Sequence, residues 1–363
     1  MLNTQRRRWT LGILGAVAAA AGPGAAVLAA DRPGGARPGE RERRSGEKMS
    51  GAVCLYYGEA LGGYGFPEGH PLGADRQGAF YREAVARGLD REARIAPPRR
   101  AERAEIERFH TRRHVDRVEH AEARGIEFLD NGDTPVFPGV YEASAVVVGS
   151  ALDGLSRVVA GECRRTFQPV GGLHHARRDA SAGFCVFNDL GVVIETLRSE
   201  YGIRRVAYVD IDVHHGDGVF YAYEQDADLI FADVHEDGRF LYPGTGHAHE
   251  TGKGKAKGTK LNIPLAPGAG DEEFLESWPR VVTHLREHRP EFFVFQCGAD
   301  GLEGDPLAHL RYSPQTHMHA ARSLCQLADE FAGGRIMAFG GGGYNRKNLA
   351  QAWCSVLREL ISA

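Results

Sequence analysis

The residues best suited to chemistry lie in one short segment, Asp210 to Gly218, which reads Asp-Ile-Asp-Val-His-His-Gly-Asp-Gly. It follows an apolar run, residues 205–209, that is typical of a buried parallel strand. Since side chains at every second position of an extended chain share a face, Asp210, Asp212 and His214 are expected to point together. A carboxylate and an imidazole delivered to one point supply two of the three protein ligands of an open catalytic zinc site. The alternative is a polar loop with solvated charges, but the predicted strand leads directly into these residues.

A second apolar run provides a candidate for the third ligand. Residues 291–297 read Glu-Phe-Phe-Val-Phe-Gln-Cys and predict a buried strand that runs into Gly298-Ala299-Asp300. Asp300 therefore falls at a carboxyl strand end, where parallel sheets hold functional residues. Taken alone, an aspartate here is more often a helix cap or a turn residue, so its assignment depends on the other candidates.

A glycine turn at residues 171–176 presents two adjacent histidines, His174 and His175. Imidazole titrates close to neutral pH, which suits proton transfer beside a metal. Asp210 and Asp217 are candidates to orient these rings and tune their basicity. A tight turn with surface histidines is an equally good interpretation of this motif in isolation.

A third predicted strand, residues 335–339, runs into four glycines and Tyr344. Glycines let the backbone approach a ligand closely, and a tyrosine hydroxyl can hydrogen-bond a developing oxyanion. A flexible glycine hinge is the alternative.

These candidates require a sheet that brings their strand ends together. The predicted strands are separated by helix-length crossovers, as a parallel sheet requires, which indicates an α/β fold. The 363 residues suffice for one large domain or two smaller ones, and neither a linker nor a repeat interrupts residues 50–363. Helices are predicted at Gln77–Arg87, Tyr141–Ala160, Val186–Glu200, Asp271–Glu287, Pro314–Phe331 and Arg346–Leu360.

Taken together and in this order, the motifs resemble those of the histone deacetylase superfamily, closest to its class I and acetoin-utilisation-type branch. The resemblance runs from about Tyr56 to Trp353. It implies a single-domain arginase/deacetylase fold with a central parallel sheet flanked by helices. The other matching motifs are Gly69-His70-Pro71, Asp133-Thr134-Pro135-Val136-Phe137, Gly183-Phe184-Cys185-Val186-Phe187-Asn188-Asp189, Pro243-Gly244-Thr245-Gly246 and Asn348-Leu349-Ala350.

The resemblance also implies a reaction, the hydrolysis of an N-ε-acyl-lysine amide to free lysine and a carboxylate. Zn²⁺ would be held by Asp212, His214 and Asp300 with water in the open position, and Fe²⁺ is compatible with the same ligands. Two carboxylates cancel the charge of the ion, so the metal should acidify its water less than a three-histidine site would. We therefore expect the reaction to depend on a neighbouring base.

The same resemblance assigns that base. His175, oriented by Asp217, would act as general base and then as general acid. His174, paired with Asp210, would help to hold the charge distribution and the water. Tyr344 would donate a hydrogen bond to the tetrahedral oxyanion.

Selectivity is expected at the entrance of the site. Gly183 precedes Phe184, and Phe184 and Tyr242 match the two aromatic walls of the family's acyl-lysine tunnel, although phenylalanine is commoner than tyrosine at the second wall. Leu307 aligns with a gatekeeper that is apolar in lysine deacetylases and a glutamate in polyamine-specific relatives. Asp133 matches a rim aspartate that accepts hydrogen bonds from a substrate backbone.

Two further positions match the family less closely. Arg76 resembles the arginine of the family's acetate-release channel, although Ala74 replaces a common proline and a surface arginine is the alternative. Asp233 falls where the family often has a serine bound to a structural K⁺. That K⁺ site would comprise Asp210, Asp212, His214 and Asp233.

These features lead to three functional hypotheses. The first is a lysine deacylase acting on proteins or peptides, and the second is a hydrolase of small acetylated amines such as acetylpolyamines, which the nearby Glu303 keeps open. The third is a non-catalytic acyl-lysine-binding protein, disfavoured by the intact set of catalytic residue types. A net charge of −4 gives no footprint for nucleic acid, and the oligomeric state is not indicated.

The N-terminal 48 residues and the cysteines bear on the compartment. Arg6-Arg7-Arg8-Trp9 precedes a short apolar run, broken by Gly22-Pro23-Gly24, that resembles a twin-arginine export signal and is a poor transmembrane span. The alternative is that translation starts at Met49 and that the enzyme domain comprises residues 49–363. Six cysteines show neither metal-ligand nor disulfide-framework spacing, with Cys185 and Cys297 as free thiols, which favours the cytoplasm.

Overall fold

Eight parallel strands form one sheet in the part of the chain that the computed structural model describes, residues 53–67 and 69–363. The order across the sheet is β2-β1-β3-β8-β7-β4-β5-β6, so strands distant in sequence are neighbours at its centre. The predicted leader, residues 1–48, lies outside the described residues, and its boundary stays a prediction. The strands are β1 Val53–Tyr56, β2 Arg94–Ala96, β3 Arg165–Gln168, β4 Val206–Asp210, β5 Leu229–Glu236, β6 Lys260–Leu265, β7 Phe292–Gln296 and β8 Ile336–Phe339.

Helices cover both faces of the sheet, and two apolar clusters divide between those faces. Alternate residues of β4 belong to different clusters, with Tyr208 on one side and Val209 on the other, as the two-residue period of a strand dictates. The helices are α1 Glu59–Gly62, α2 Arg76–Ala86, α3 Leu89–Glu92, α4 Arg103–Ile106, α5 Arg112–Glu119, α6 Val140–Ala160, α7 Asp189–Tyr201, α8 Asp217–Ala222, α9 Asp271–His288, α10 Pro314–Phe331 and α11 Arg346–Ser362. This architecture confirms the predicted α/β fold with a central parallel sheet.

One predicted helix begins later than expected. The sequence predicted a helix from Val186, whereas α7 starts at Asp189. The side chain of Asn188 accepts a hydrogen bond from the backbone N–H of Gly191 and so caps the helix, which fixes its first turn.

Two of the six cysteines form a disulfide, although the spacing of the cysteines showed no disulfide framework. Cys54 and Cys163 form a disulfide, because β1 pairs with β3 and brings Cys54 next to the turn that precedes Arg165. The four other cysteines are free and buried, including Cys185 and Cys297 as expected.

Helix α6 is the one helix among the described residues that is long and apolar enough to cross a membrane. Within its most apolar stretch of 18 residues, 61% is buried inside the protein. The helix packs against α7 and strands β3 and β8, so its apolar character is explained by its position in the core.

Candidate active site

The candidate site lies at the carboxyl edge of the sheet, where five neighbouring strands end. β3, β8, β7, β4 and β5 are consecutive in the sheet, and all are parallel. The turns that follow them therefore emerge at the same edge, as the sequence predicted. These turns hold the predicted chemical residues, namely His174, His175, Tyr344, Asp300, Asp212, His214 and Asp217.

Asp212, His214 and Asp300 converge on one point, with their potential ligand atoms within 4.8 Å of one another. His214 Nδ1 lies 3.1 Å from Asp212 Oδ1 and 3.2 Å from Asp300 Oδ2. Burial lowers the pKa of His214, but the two carboxylates overcome this effect and raise it to about 10. Burial, followed by the charge of Asp212, raises the pKa of Asp300 to about 7. The centre thus attracts positive charge.

The remaining contacts of these carboxylates leave room for a cation. Asp212 Oδ2 accepts hydrogen bonds from Gln296 Nε2 and from the backbone N–H of Gly342, both at 2.8 Å. Asp300 Oδ1 accepts one from the backbone N–H of Val213, whereas Asp300 Oδ2 is buried without an aligned donor. An acceptor atom buried without a donor is unfavourable, and a divalent ion would satisfy it. The donor set of two carboxylates and one imidazole fits zinc or ferrous iron.

The two adjacent histidines are held in fixed orientations by two buried carboxylates. His174 Nδ1 lies 2.8 Å from Asp210 Oδ2, and His175 Nδ1 lies 2.7 Å from Asp217 Oδ1. Their Nε2 atoms are 3.1 Å apart, so both rings turn the same nitrogen to the same place. Burial and the neighbouring His174 lower the pKa of His175 to about 4, although Asp217 opposes this shift. His175 is therefore neutral and able to accept a proton at neutral pH.

Hydrogen bonds with two side chains hold the backbone of the histidine turn, and the sequence reasoning had assigned neither side chain a role. Asp189 accepts hydrogen bonds from the backbone N–H groups of Gly172 and Leu173. Asn188 donates to the carbonyl oxygens of His174 and Ala176. These contacts explain the Asn-Asp pair that ends the motif 183–189, and its place in that motif was the signal in the sequence.

Gln296, at the end of β7, joins three parts of the site. It donates to Asp212 and to the carbonyl oxygen of Gly172, and its own oxygen accepts the backbone N–H of Gly298. Gly172 has a φ of 75°, and a Cβ there would lie 2.9 Å from the backbone nitrogen of Gly341. Only glycine permits this close approach of two turns.

A cavity of about 220 Å³ leads from the surface to this centre. His175, His214 and Tyr344 line it where it meets the three-ligand centre, together with aromatic and aliphatic side chains. All five residues that the sequence predicted to bind substrate lie on its wall. They are Asp133, Gly183, Phe184, Tyr242 and Leu307, to which the structure adds Leu241.

Two features fix the shape of this wall. Phe184 has a φ of 67°, unusual for a side chain of this size, and its carbonyl oxygen accepts a hydrogen bond from the Tyr64 hydroxyl at 2.7 Å. A Cβ on Gly183 would lie 2.6 Å from the ring of His175, so glycine is required beside the catalytic candidate. The ring of Tyr242, 44% exposed, lies edge-on to His175 with centroids 5.1 Å apart.

Asp305 is a buried carboxylate that the sequence reasoning missed. One of its oxygens accepts the backbone N–H of Leu307, and the other accepts those of Tyr344 and Asn345, at 2.8 Å for Tyr344. It therefore connects the backbone of Leu307, on the wall of this cavity (the tunnel), with the backbone of Tyr344 at its inner end. No local pattern signalled this role, because two of the three donors come from a distant strand end.

Arg76 is buried, contrary to the surface alternative. Its guanidinium donates to the carbonyl oxygens of Gly341 and Gly343, and it lies over the rings of Tyr344 and Trp353. It thus holds the backbone of the glycine turn 340–343 in place. A role of Arg76 in an acetate-release channel stays a prediction.

Asp233 lies beside Asp210, its register partner on the neighbouring strand. One oxygen of Asp233 accepts the backbone N–H of Gly216 at 2.9 Å, and the other is 2.6 Å from His235 Nδ1. The carboxylate is close to the predicted K⁺ ligands, and K⁺ binding there stays a prediction.

The chain is similar to known proteins in sequence and in fold. The histone deacetylase domain model matches residues 70–360. The acetoin utilization protein AcuC of Bacillus subtilis is 34% identical over 306 residues, which cover 82% of this chain and 79% of that protein. Histone deacetylase RPD3 of Saccharomyces cerevisiae is 32% identical over 312 residues, covering 83% and 70%. The solved HD domain of HDA15 has a TM-score of 0.79 and 25% identity, covering 86% of this chain and 88% of its own.

Proposed function

Because this chain belongs to the histone deacetylase family, we propose that it hydrolyses the amide bond of N-ε-acyl-lysine in peptides or proteins, releasing lysine and a short carboxylate. The observation that carries this proposal is the cavity of about 220 Å³ that is lined by His175, His214 and Tyr344. A channel of this size suits one extended aliphatic side chain with a small acyl group at its tip.

The chain's own residues account for the proton transfers. Nδ1 of neutral His175 faces Asp217, and its Nε2, which lies 3.1 Å from Nε2 of His174, is the nitrogen that would take a proton from the water that attacks the amide carbon. The same proton then passes to the lysine nitrogen as the C–N bond breaks. Tyr344 donates a hydrogen bond to the carbonyl oxygen as negative charge develops there. A divalent ion on Asp212, His214 and Asp300 would supply Lewis-acid polarisation and acidification of water.

Zinc is the proposed ion, with ferrous iron as the alternative that the same three ligands accept. Metal analysis of protein purified from its natural cells without added metal and without oxygen tests this choice. One equivalent of zinc supports the proposal, and one equivalent of iron overturns it in favour of the alternative.

Two contacts weigh against a small acetylated polyamine as the substrate. Leu307 lines the cavity, and it offers no charge to an ammonium group. Glu303, four residues before Leu307, pairs with Arg311 at 2.9 Å and is not part of the cavity wall.

The deciding experiment measures kcat/KM of the full-length, zinc-loaded protein on one panel of substrates. The panel pairs acetyl-, propionyl- and lactyl-lysine peptides with N-acetylputrescine and N-acetylspermidine, and a His175→Ala preparation controls for contaminating hydrolases. Faster turnover of peptides supports the proposal. Faster turnover of the amines, or none of either substrate with zinc bound, overturns it.

The compartment is a separate question on which two observations now oppose each other. Four free buried cysteines and the proposed substrate favour the cytoplasm, whereas the Cys54–Cys163 disulfide favours an oxidising compartment. We propose the cytoplasm, and the first residue of the native protein tests it. Met49 or Ser50 at the N-terminus excludes an export signal, whereas cleavage near Asp31 shows export.

A further inference from the structure

A second cavity of about 550 Å³ adjoins the entrance of the tunnel and shares Asp133 and Tyr242 with it. It lies between the first turns of α5, the loop 129–133 and the loop 177–182. Three arginines line it, one from α5 near its start, one a helical turn later, and one from the loop after the histidine turn. They are Arg113, Arg117 and Arg177, and we call this space the arginine cavity.

Two of these arginines lack acidic partners among the described residues. Arg113 makes no hydrogen bond or ion pair there, and Arg117 donates only to the carbonyl oxygen of Phe128, at 3.3 Å. Four residues apart on one helix, their side chains share a face, so two like charges stand side by side. Like charges at this spacing repel each other weakly, and an anion bound between them would relieve that repulsion.

The other charges of α5 are compensated elsewhere. Arg112 reaches Glu107 at 3.3 Å, Asp116 is paired with Arg124, and Glu119 is paired with Arg103. The acids of the helix therefore face other partners, and the uncompensated charge is confined to the side that lines the cavity.

Three carboxylates also line the cavity, but among the described residues none of them forms an ion pair with Arg113 or Arg117. Asp130 accepts three backbone N–H groups of its own loop and the hydroxyl of Thr134, which occupies both of its oxygens. Asp133 also lines the tunnel. In the proposed function it accepts hydrogen bonds from the backbone of the substrate. Arg177 is paired with Asp217 at 3.3 Å, and among the described residues Asp179, which also lines the cavity, makes no ion pair with Arg113 or Arg117.

We propose that the arginine cavity binds an acidic side chain of the substrate polypeptide, close in sequence to the acyl-lysine. This inference rests on the proposed function and names its substrate class. A guanidinium binds a carboxylate through paired, charge-assisted hydrogen bonds, which suits an aspartate or a glutamate. An extended chain advances about 3.3 Å per residue, so the cavity next to the tunnel is within reach of roughly the first three residues on one side of the lysine.

The consequence is a preference opposed to that expected for lysine-rich tails. Positive charges next to the acyl-lysine meet Arg113 and Arg117 and are repelled, as is a polyamine. The preferred substrates are therefore acylated lysines in acidic surroundings.

The test compares kcat/KM of the full-length, zinc-loaded protein on acetyl-lysine peptides that carry Asp, Gly or Lys at each of three positions on either side. We expect Asp to exceed Lys by about fivefold at one or more positions on one side, the size expected for partly exposed charges. Arg113→Glu and Arg117→Glu should each reverse the Asp-to-Lys ratio, whereas Arg113→Lys should retain part of it. Arg112→Glu is the matched control, because it makes the same change one residue away, outside the cavity, and should leave the ratio unaltered.

Equal rates on acidic and basic peptides, or a preference that survives both glutamate variants, would overturn the inference. An Arg112→Glu variant that changes the ratio as much as Arg113→Glu would also overturn it, because the effect would then be one of overall charge. Melting temperature and zinc content show that each variant is folded.

A minimal substrate separates this inference from the proposed function. Acetyl-lysine aminocoumarin amide has no neighbouring residues, so the unaltered enzyme should hydrolyse it even if the arginine cavity binds nothing. If neither that compound nor any peptide is hydrolysed with zinc bound, the proposed function fails as well.

Discussion

The floor and the rim of the site are held in different ways. On the floor, Asp210, Asp212 and Asp300 are at most 1% exposed, and buried side chains contact one another directly. On the rim, Tyr242 is 44% exposed and Asp133 is held through the backbone of its own loop. Rigid buried contacts fix reacting groups, whereas exposed loops can vary without disturbing them. The floor should therefore govern the rate of the chemical step, and the rim should govern which substrates reach it.

The largest effect should come from His175→Ala on the floor. Loss of the proposed general base should lower kcat by about 10³-fold, within the usual range for such groups. Zinc content should be unaltered, because His175 is outside the three-ligand set. Activity within a few-fold of the original would remove His175 from its role, and His120→Ala, which changes an exposed histidine directly after α5, serves as the control.

A second floor substitution, Asp217→Asn, should lower kcat/KM by about 100-fold, because the orientation and the charge support of the general base His175 are lost together. It should also move the pH profile in a defined direction. Activity is lost as falling pH protonates His175, and Asp217 raises the pKa of that ring. Removing the carboxylate charge should therefore shift the acidic limb of kcat/KM to lower pH. A limb that stays in place or moves upward would contradict this account.

Asp305 belongs to both regions, and Asp305→Asn tests their connection. An amide keeps one acceptor oxygen but turns an N–H₂ group toward a backbone donor, so Leu307 or Tyr344 must shift. We expect kcat/KM to fall about tenfold, since small displacements at a reacting centre are costly. In a Tyr344→Phe background the same change should cost much less if Asp305 acts through the tyrosine. Equal losses in both backgrounds would show a merely structural role.

The smallest effect should come from Asp133→Asn on the rim. It should raise KM for acetyl-lysine peptides about fivefold by weakening hydrogen bonds to the substrate backbone, while kcat stays unchanged. The minimal acetyl-lysine aminocoumarin amide should be affected less, because it lacks most of that backbone. A fall in kcat instead of a rise in KM would erase the distinction between rim and floor.

The floor was predictable from the sequence because apolar runs indicate buried strands, and the polar residues of the site come directly at the ends of these strands. Asp210, Asp212, His214 and Asp300 were found in this way, and the parallel sheet explains why they meet. Family resemblance, and not any local pattern, identified the tunnel wall.

The missing parts depend on contacts between segments that are distant in the chain. Cys54 and Cys163 are separated by 109 residues, and only the pairing of β1 with β3 brings them together. Asp305 binds backbone groups of a distant turn, so its own neighbours gave no signal. The charges of Arg113 and Arg117 became informative only when the partners of the other charged residues of α5 were known.

The strand order has a consequence for how the protein is made. Asp212 and Asp300 follow strands that are neighbours in the sheet, yet β5, β6 and α9 lie between them in the chain. Tyr344 comes later still, after β8. No nascent fragment that ends before Asp300 can assemble the three-ligand centre, and closing such long-range pairings is slow compared with forming local helices. Tight uptake of metal should therefore report that the sheet is complete, so the ion would be acquired at the end of folding, after the ribosome has released most of the chain.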